Sequence, residues 1–180
     1  MLKKFSGFLR SLIYGQQPNF TPKEVIINNE TFFVRTMKNS DVSMVIELEK
    51  DVYAGFAPWS KSAFISEIYS PMIHLYLCVF KESELVAFIG SRVMSGDNHI
   101  TNVAVKPSYQ NKKIGGYLLA ETEKFARSYH CQTMSLEVRA SNHAAQRLYR
   151  RFGFDLAQVH VNYYTEDQED ALEMVKKIDD

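Results

Sequence analysis

The sequence predicts one mixed domain of the α/β (α+β) class, in which helices flank a single sheet. Segments with the strand period of two residues alternate along the chain with segments of helical period. The 180 residues are 46% hydrophobic, which is enough apolar material for one sizeable core. Five prolines and eight glycines argue against fibrous and low-complexity classes, and no internal repeat is visible.

The first predicted elements are a hairpin and two short helices. Val25–Ile27 and Thr31–Val34 flank Asn28-Asn29, a pair typical of a tight hairpin turn. Ser40-Asp41 precedes apolar residues at helical spacing and is a candidate N-terminal cap. Pro58-Trp59-Ser60 opens a second short helix by the same kind of signal.

Three strands and a longer helix form the middle of the chain. Leu75–Phe80 and Leu85–Met94 are apolar strands joined by a charged turn, and Ile100–Val105 is a third strand that ends just before Pro107. Gly115–Tyr129 has its apolar residues on one helical face.

The remaining elements continue the alternation. Met134, Leu136 and Val138 alternate with polar residues and predict a half-buried strand. Asn142 is a candidate cap for a helix that Gly153 ends. Two further strands are predicted over residues 155–164 and 169–177.

Composition excludes several function classes. The chain has 21 Lys+Arg and 21 Asp+Glu residues, so its formal net charge is zero. This charge balance gives no electrostatic reason to expect nucleic-acid binding. The longest apolar runs, such as Leu75–Phe80, are too short to span a bilayer. The two cysteines and five histidines show no metal-ligand spacing, so no metal is expected. Cys131 lacks a nearby activating base, which disfavours a role as a covalent nucleophile. A reduced, cytoplasmic protein is the default interpretation.

Charge divides the chain into an extension and a domain. Residues 1–24 carry a local charge of +3 and residues 165–180 a local charge of −5. Residues 1–14 form a basic amphipathic pattern, which suits a membrane surface or an anionic partner. Packing on the same domain or on a second copy is the favoured interpretation, because one glycine-containing helix is a weak membrane anchor. We predict an extension and linker over 1–24 and a folded domain over 25–180.

The segment Ile100–Gly116 carries the clearest chemical signal. A strand stops at Pro107, and a basic loop then enters a helix, so backbone N–H groups and the positive end of a helix meet at one point. Lys112 and Lys113 add positive charge beside it. Such a point suits phosphate, although two glycines in a tight turn are common without a ligand. The Gly-Lys-Ser/Thr of nucleotide-binding P-loops is missing.

The same residues resemble a known signature. Asn102–Val105, Pro107, Tyr109-Gln110 and Ile114-Gly115 are similar to the acetyl-CoA motif of the GNAT acetyltransferases. A second set is similar to the RimI family of bacterial ribosomal-protein alanine N-acetyltransferases, and the resemblance runs over residues 33–176. That second set comprises Pro58–Ser60, Leu136–Asn142, Leu148-Tyr149, Phe152–Phe154 and Asn162–Tyr164.

The resemblance implies a fold, a reaction and a cofactor site. The fold is a single splayed, curved, mostly antiparallel sheet with flanking helices, and the co-substrate is acetyl-CoA. The acetyl group goes directly to the N-terminal amine of a protein, with a ribosomal protein beginning with alanine as the expected partner. The residues implied to bind acetyl-CoA are Val103, Ala104 and Val105 for pantetheine, Asn111, Lys112, Lys113, Ile114, Gly115 and Gly116 for pyrophosphate, and Asn142.

Motif position also implies the catalytic and substrate residues. Glu137 is expected to be the general base, acting through a water, and Tyr149 to protonate the departing CoA thiolate. The alternatives are a Glu137 ion pair with Arg139 or Arg150, and a core role for Tyr149. Four aromatic residues that border the expected peptide groove are assigned to substrate binding, with ordinary loop packing as the alternative: Phe56, Trp59, Tyr163 and Tyr164.

Lys113 departs from the family pattern, which has glycine at this position. A side chain there can crowd the pyrophosphate, whereas its ammonium group attracts phosphate. Three readings of function therefore stand: N-terminal acetylation, acetylation of protein lysines or small amines, and a module that binds CoA or peptide with little turnover.

Overall fold

The computed structural model describes residues 20–178, in which eight strands form one sheet with helices on both faces. The predicted class and the order of elements are confirmed, and the amphipathic pattern of residues 1–14 lies outside the described residues. The elements are β1 (Lys23–Ile27), β2 (Glu30–Thr36), α1 (Val42–Val52), α2 (Lys61–Ile68), β3 (His74–Lys81), β4 (Glu84–Met94), β5 (Asp97–Val105), α3 (Ile114–Ser128), β6 (Thr133–Arg139), α4 (His143–Arg151), β7 (Asp155–Tyr164) and β8 (Glu169–Lys177).

The sheet is mostly antiparallel and opens at its centre. Its strand order is β1-β2-β3-β4-β5-β6-β8-β7, and β5 and β6 form the parallel pair. Their pairing joins Asp97–His99 to Thr133–Ser135, three residue pairs in all. After these three pairs, β5 continues alongside β4 and β6 continues alongside β8, so the two strands separate from each other. This separation is the predicted splay.

Two cores lie on the two faces of the sheet. The larger one packs α3 and α4 against the strands and contains Leu118, Met134 and Phe154. The smaller one packs α1 and α2 over β3, β4 and the end of β5, around Phe64 and Phe88. Because Met134, Leu136 and Val138 belong to the larger core, the intervening β6 side chains point to the α1/α2 side. We call this side of β5–β8 the polar face.

A bulge in β5 sets which side chains reach the polar face. Gly90 pairs with Asn102 and the next residue, Ser91, pairs with Ile100, so Thr101 is an extra residue on β5. Asn102 contacts α1, whereas Ile100 points into the larger core. The bulge thereby shifts the alternation and turns His99 toward the polar face.

Close backbone contact explains the glycine beside this bulge. A Cβ atom on Gly90 would lie only 2.2 Å from Cε1 of Tyr76. The Tyr76 ring therefore crosses Gly90, and its hydroxyl shares a 2.9 Å hydrogen bond with Thr101 Oγ1. Glycine at position 90 thus allows β3 to hold the bulged part of β5.

Helix caps follow the prediction in two cases and differ in the third. Ser60 Oγ accepts from the Ala63 N–H at 3.2 Å, and Asn142 Oδ1 accepts from the Ala145 N–H at 3.1 Å. Asp41 was expected to cap α1, but its carboxylate instead accepts from Arg35 and from the Lys38 N–H. A short 3-10 turn over Asn39–Asp41 leads into the helix.

Residues 20–178 contain neither a membrane-spanning helix nor a metal-ligand cluster. The helices there are all too short or too polar to cross a membrane. Within the same range, His, Cys, Asp and Glu side chains form no group of three suited to a metal ion. Cys78 and Cys131 are both buried free thiols.

Candidate active site

The splay between β5 and β6 is the centre of the candidate site. Val103, Ala104 and Val105 pair with β4 on one side, while their other backbone edge faces the splay. The Ala104 side chain is buried in the smaller core, so this stretch meets a ligand mainly through its backbone. An extended chain laid in the splay would gain the hydrogen bonds of an added strand.

The loop after β5 aims backbone N–H groups at the same region. Gln110 Nε2 donates to the carbonyl of Val105 at 3.1 Å and ties the loop to the strand end. Asn111 and Lys113 adopt left-handed conformations, with φ of 60° and 67°. The chain then enters α3 at Ile114, whose side chain is buried, so its contribution to a phosphate is its N–H.

The two glycines of this loop have different roles. A Cβ atom on Gly115 would lie 3.0 Å from Cδ2 of Leu148, so Gly115 lets α3 approach α4 closely. At Gly116 a Cβ atom would meet nothing within 4 Å, so this residue borders open space beside the first turn of α3. The space at Gly116 and the free first turn fit a diphosphate group.

The two loop lysines also differ. Lys112 Nζ lies 3.0 Å from Glu30 Oε1 on β2 and 4.9 Å from the centre of the Tyr109 ring. The Lys112 charge was expected to bind phosphate, but it is already paired with Glu30. Lys113 is exposed at the N-terminus of α3 and is the better placed of the two for phosphate.

The turn that follows β6 is held by ion pairs. Arg139 Nη1 lies 2.7 Å from Glu169 Oε2 and 2.7 Å from Asp167 Oδ2. Glu169 also accepts from the Ser141 N–H at 2.7 Å, and the hydrogen bonds from Ser141 and Arg139 lower the pKa of Glu169 to about 2. This turn fixes the exposed Asn142 at the start of α4.

Glu137 lies on the polar face of β6, beside the splay. Its carboxylate is 3.3 Å from Nε2 of His99, and its side chain is 22% exposed. The salt bridges of Arg139 go to Asp167 and Glu169, so the expected alternative of a Glu137–Arg139 pair is not what the structure contains. The carboxylate is accessible to a water and to an incoming amine.

Tyr149 is buried on α4 in the larger core, next to Phe154. Burial raises the pKa of its phenol strongly, and the nearby phenols of Tyr53 and Tyr164 raise it further. Tyr149 is therefore protonated at physiological pH and has a proton to give. Tyr164, the last residue of β7, interacts electrostatically with this phenol and with the Glu137 carboxylate.

The four predicted substrate aromatics separate into two pairs. Tyr163 and Tyr164 pack edge-to-face with 5.2 Å between ring centres, and the charge of Glu137 acts on both phenols. Trp59 packs on Phe64, with 5.3 Å between ring centres, and contributes to the smaller core. Phe56 is exposed in the segment between α1 and α2.

Sequence reasoning missed a buried carboxylate that holds this segment. Asn102 Nδ2 donates to Glu49 Oε1 at 2.6 Å, and the Trp59 N–H donates to Oε2 at 3.4 Å. Burial raises the pKa of Glu49. Its signal in the sequence is a lone acid on the apolar side of α1, at a position where an acid needs a polar partner. His99 and Tyr53 were also missed.

Similarity to known proteins identifies the family of this chain. Residues 30–154 match the model of the acetyltransferase (GNAT) family. A Bacillus subtilis protein assigned as the alanine N-acetyltransferase of ribosomal protein bS18 is 37% identical over 142 residues, which is 78% of this chain and 92% of that protein. The ribosomal protein bS18-alanine N-acetyltransferase of Escherichia coli K12 is 31% identical, over 81% of this chain and 97% of its own.

A solved structure agrees with these sequence matches. The crystal structure of the Escherichia coli ribosomal-protein-S18-alanine N-acetyltransferase superimposes with a TM-score of 0.73 and 30% identity, covering 83% of this chain and 95% of that chain. The chain belongs to the GNAT acetyltransferase family. It is accordingly an N-acetyltransferase that takes its acetyl group from acetyl-CoA.

Proposed function

We propose that this chain acetylates the α-amino group of a ribosomal protein that begins with alanine, and that it does so in the cytoplasm. The relatives from Bacillus subtilis and Escherichia coli are named for this reaction on bS18, and they align over more than three quarters of the chain. The observation that carries the proposal is the position of Glu137: an accessible carboxylate on the polar face, directly beside the splay.

The acetyl-CoA site is proposed on the same geometry. Val103–Val105 would pair with the pantetheine chain, and the N–H groups of Ile114, Gly115 and Gly116 would meet the pyrophosphate. The open space at Gly116 supports this assignment, and the exposed Lys113 adds a charge beside it. Acetyl-CoA supplies the activated acetyl thioester. Asn142, exposed at the start of α4, would contact CoA from the opposite rim of the splay.

Glu137 begins the proposed reaction by removing a proton from the substrate ammonium group through a water. The amine lone pair can then form the new bond to the thioester carbonyl. An α-amino group titrates near about 7.7–8.0 and a lysine side chain near about 10.4. One carboxylate and a water therefore suffice for an α-amine, whereas a lysine needs more assistance. This difference favours the N-terminal amine as the substrate.

Tyr149 completes the transfer by donating its phenolic proton to the sulfur as the carbon–sulfur bond breaks. Its phenol is protonated at physiological pH, so the proton is present when the thiolate forms. Tyr163 and Tyr164 would bind the first residues of the substrate, because they lie beside Glu137 on the polar face. Phe56 would contribute from the α1–α2 segment, while Trp59 would shape that segment through its packing on Phe64.

The proposal is tested by the intact masses of ribosomal proteins from cells with and without this chain. We expect one small-subunit protein that begins with alanine to lose 42 Da, about the mass of one acetyl group, when the gene is deleted. Unchanged masses across all ribosomal proteins would contradict the proposed substrate.

A further inference from the structure

Glu137 faces a histidine that lies outside the family motif. His99 is the last residue of β5 that pairs with β6, where it stands opposite Ser135. Its Nε2 lies 3.3 Å from Oε2 of Glu137, and both side chains are 22% exposed. The contact is therefore built into the sheet and differs from a free surface ion pair.

Hydrogen bonds around Ser135 determine which nitrogen of His99 carries the hydrogen. Asp97 accepts from Thr133 Oγ1 at 2.6 Å and from Ser135 Oγ at 2.5 Å. Ser135 gives its only hydrogen to Asp97, so its oxygen accepts from His99 Nδ1, which is 2.9 Å away. The neutral imidazole then carries its hydrogen on Nδ1 and presents the lone pair of Nε2 to Glu137.

A carboxylate oxygen and a nitrogen lone pair attract each other only when a proton lies between them. The pair can hold that proton on Glu137 Oε2 or on His99 Nε2. We propose that His99 is the positioning residue of the catalytic carboxylate and receives the proton that Glu137 removes. This inference rests on the proposed function, in which Glu137 is the base.

The proton count of the reaction supports a receiving group. A substrate ammonium loses two protons when it becomes an amide; Tyr149 gives its own proton to the CoA sulfur and takes one of these two in its place. The other proton leaves: the O–H bond on Glu137 breaks, the Nε2 lone pair forms an N–H bond, and Glu137 is again a carboxylate. His99, now an imidazolium, releases the proton to solvent through the exposed part of its ring.

Other charges around His99 act on this exchange. Arg92 stands opposite it on β4 and pairs with Glu67 at 3.5 Å. Glu173 on β8 stands opposite Glu137 and has its own histidine, with His160 Nε2 at 2.8 Å. Asp97 acts through Ser135, and Tyr163 of β7 lies near both Arg92 and Glu137.

The test compares His99→Asn with wild type and with His160→Asn. Asparagine keeps a donor near the Nδ1 position for Ser135 and removes Nε2. We expect His99→Asn to bind acetyl-CoA and an alanine-initiated peptide within about threefold of wild type, while kcat at pH 7 falls by roughly 10–100-fold. Added imidazole should restore part of the rate. His160→Asn, which breaks the matched pair with Glu173, should stay within about threefold of wild type.

Two further measurements separate the possible failures. Nitrogen NMR of the free protein should show His99 as the Nδ1-protonated tautomer whatever the substrate is. A wild type that fails to acetylate the alanine peptide contradicts the proposed function. Glu137→Gln in the same assay reports on the base: if it is fully active, Glu137 is not the base and the His99 proposal fails with it. If Glu137→Gln is inactive but His99→Asn has normal kcat, only the His99 proposal fails. The His99 proposal is also overturned if His99→Asn has a lower kcat that imidazole does not restore and whose pH profile is unchanged. An equal loss of kcat in His160→Asn overturns it as well.

Discussion

Arg35 binds the buried carboxylate of Asp41 with two parallel hydrogen bonds. The Nη1–Oδ2 distance is 2.5 Å and the Nη2–Oδ1 distance is 2.9 Å, and the Asp41 side chain is only 3% exposed. Burial is the largest influence on Asp41 and opposes its charge. The bonds from Arg35 and from the Lys38 N–H outweigh it, so the pKa of Asp41 lies below its ordinary value. This pair fixes the connection from β2 to α1.

Replacing Asp41 by Asn should lower the free energy of unfolding by about 3 kcal/mol at pH 7, because it leaves the guanidinium without its partner. The native state favours ionised Asp41, so the contribution is present above about pH 4 and disappears as the pH falls through the lowered native pKa. Urea unfolding at pH 7 and pH 3 measures the difference between the two proteins.

The matched control is Asp51→Asn. Asp51 is half exposed and lies 3.7 Å from Lys106, so its removal should cost less than about 0.5 kcal/mol. An Asp41→Asn cost that does not shrink at low pH would contradict the assigned pKa direction.

Glu137→Gln should lower kcat by about 10²–10⁴-fold, because the amide cannot accept the substrate proton. Acetyl-CoA should still bind, which calorimetric titration checks. Glu47→Gln changes an exposed acid on α1 and should leave kcat unchanged. Near-normal turnover of Glu137→Gln across pH 6–9 would remove Glu137 from the mechanism.

Tyr149→Phe should fold normally and lose about 10–100-fold in kcat, because it keeps the buried ring and removes the proton donor. Steady-state kinetics and a thermal melt measure the two effects. Tyr129→Phe removes a phenol at the end of α3 and is the control. Wild-type activity in Tyr149→Phe would make this residue a packing residue alone.

A peptide with a free N-terminal alanine should react at least about 100-fold faster than the same peptide blocked at that amine and carrying an internal lysine. At pH 7.5 roughly a third of α-amines but only about 0.1% of lysine side chains are unprotonated. Mass spectrometry of both peptides after equal incubation gives the ratio. The opposite preference would assign the chain to lysine acetylation.

Lys113→Gly tests the departure from the family loop. The position has φ of 67°, where a non-glycine residue costs roughly 1–2 kcal/mol. A phosphate contact of its ammonium group can return roughly 1.5–3 kcal/mol before screening. We expect wild type to bind acetyl-CoA more weakly as salt rises, and Lys113→Gly to flatten this dependence while changing the Kd by less than about tenfold.

Calorimetry at low and high salt measures both proteins, with Lys112→Ala as the control. Lys112 is already paired with Glu30, so its removal should leave the salt dependence nearly intact. If wild type fails to bind and Lys113→Gly binds, the chain would be a weakened binding module.

Periodicity and turn residues predicted the order of the strands and helices, whereas the splayed sheet was implied by the family resemblance. Strand alternation is explicit at Met134, Leu136 and Val138, and the caps at Ser60 and Asn142 are local signals that read directly from neighbouring residues. Asp41 has the right residue type for a cap, but Arg35, six residues earlier on β2, competes successfully for the carboxylate. Capping rules based on residue type cannot predict that an arginine on β2 will bind the carboxylate instead of the helix N-terminus.

The candidate site was only partly predictable for a similar reason. The motif identifies Glu137, but His99 reaches the polar face through the bulge at Thr101, and an inserted residue reverses the alternation on which strand prediction depends. Trp59 was expected in the substrate groove because of its motif position. Its packing on Phe64 depends on how α2 lies on the sheet, which no short motif encodes.

The short join between β5 and β6 would make the stability of this protein depend on bound acetyl-CoA. Three residue pairs connect the two halves of the sheet directly, so a pantetheine chain lying along Val103–Val105 would act as a removable strand. A ligand at 100 times its Kd adds about 2.7 kcal/mol to the free energy of unfolding. Cells rich in acetyl-CoA would therefore contain a protein that resists proteolysis, whereas starved cells would degrade it faster.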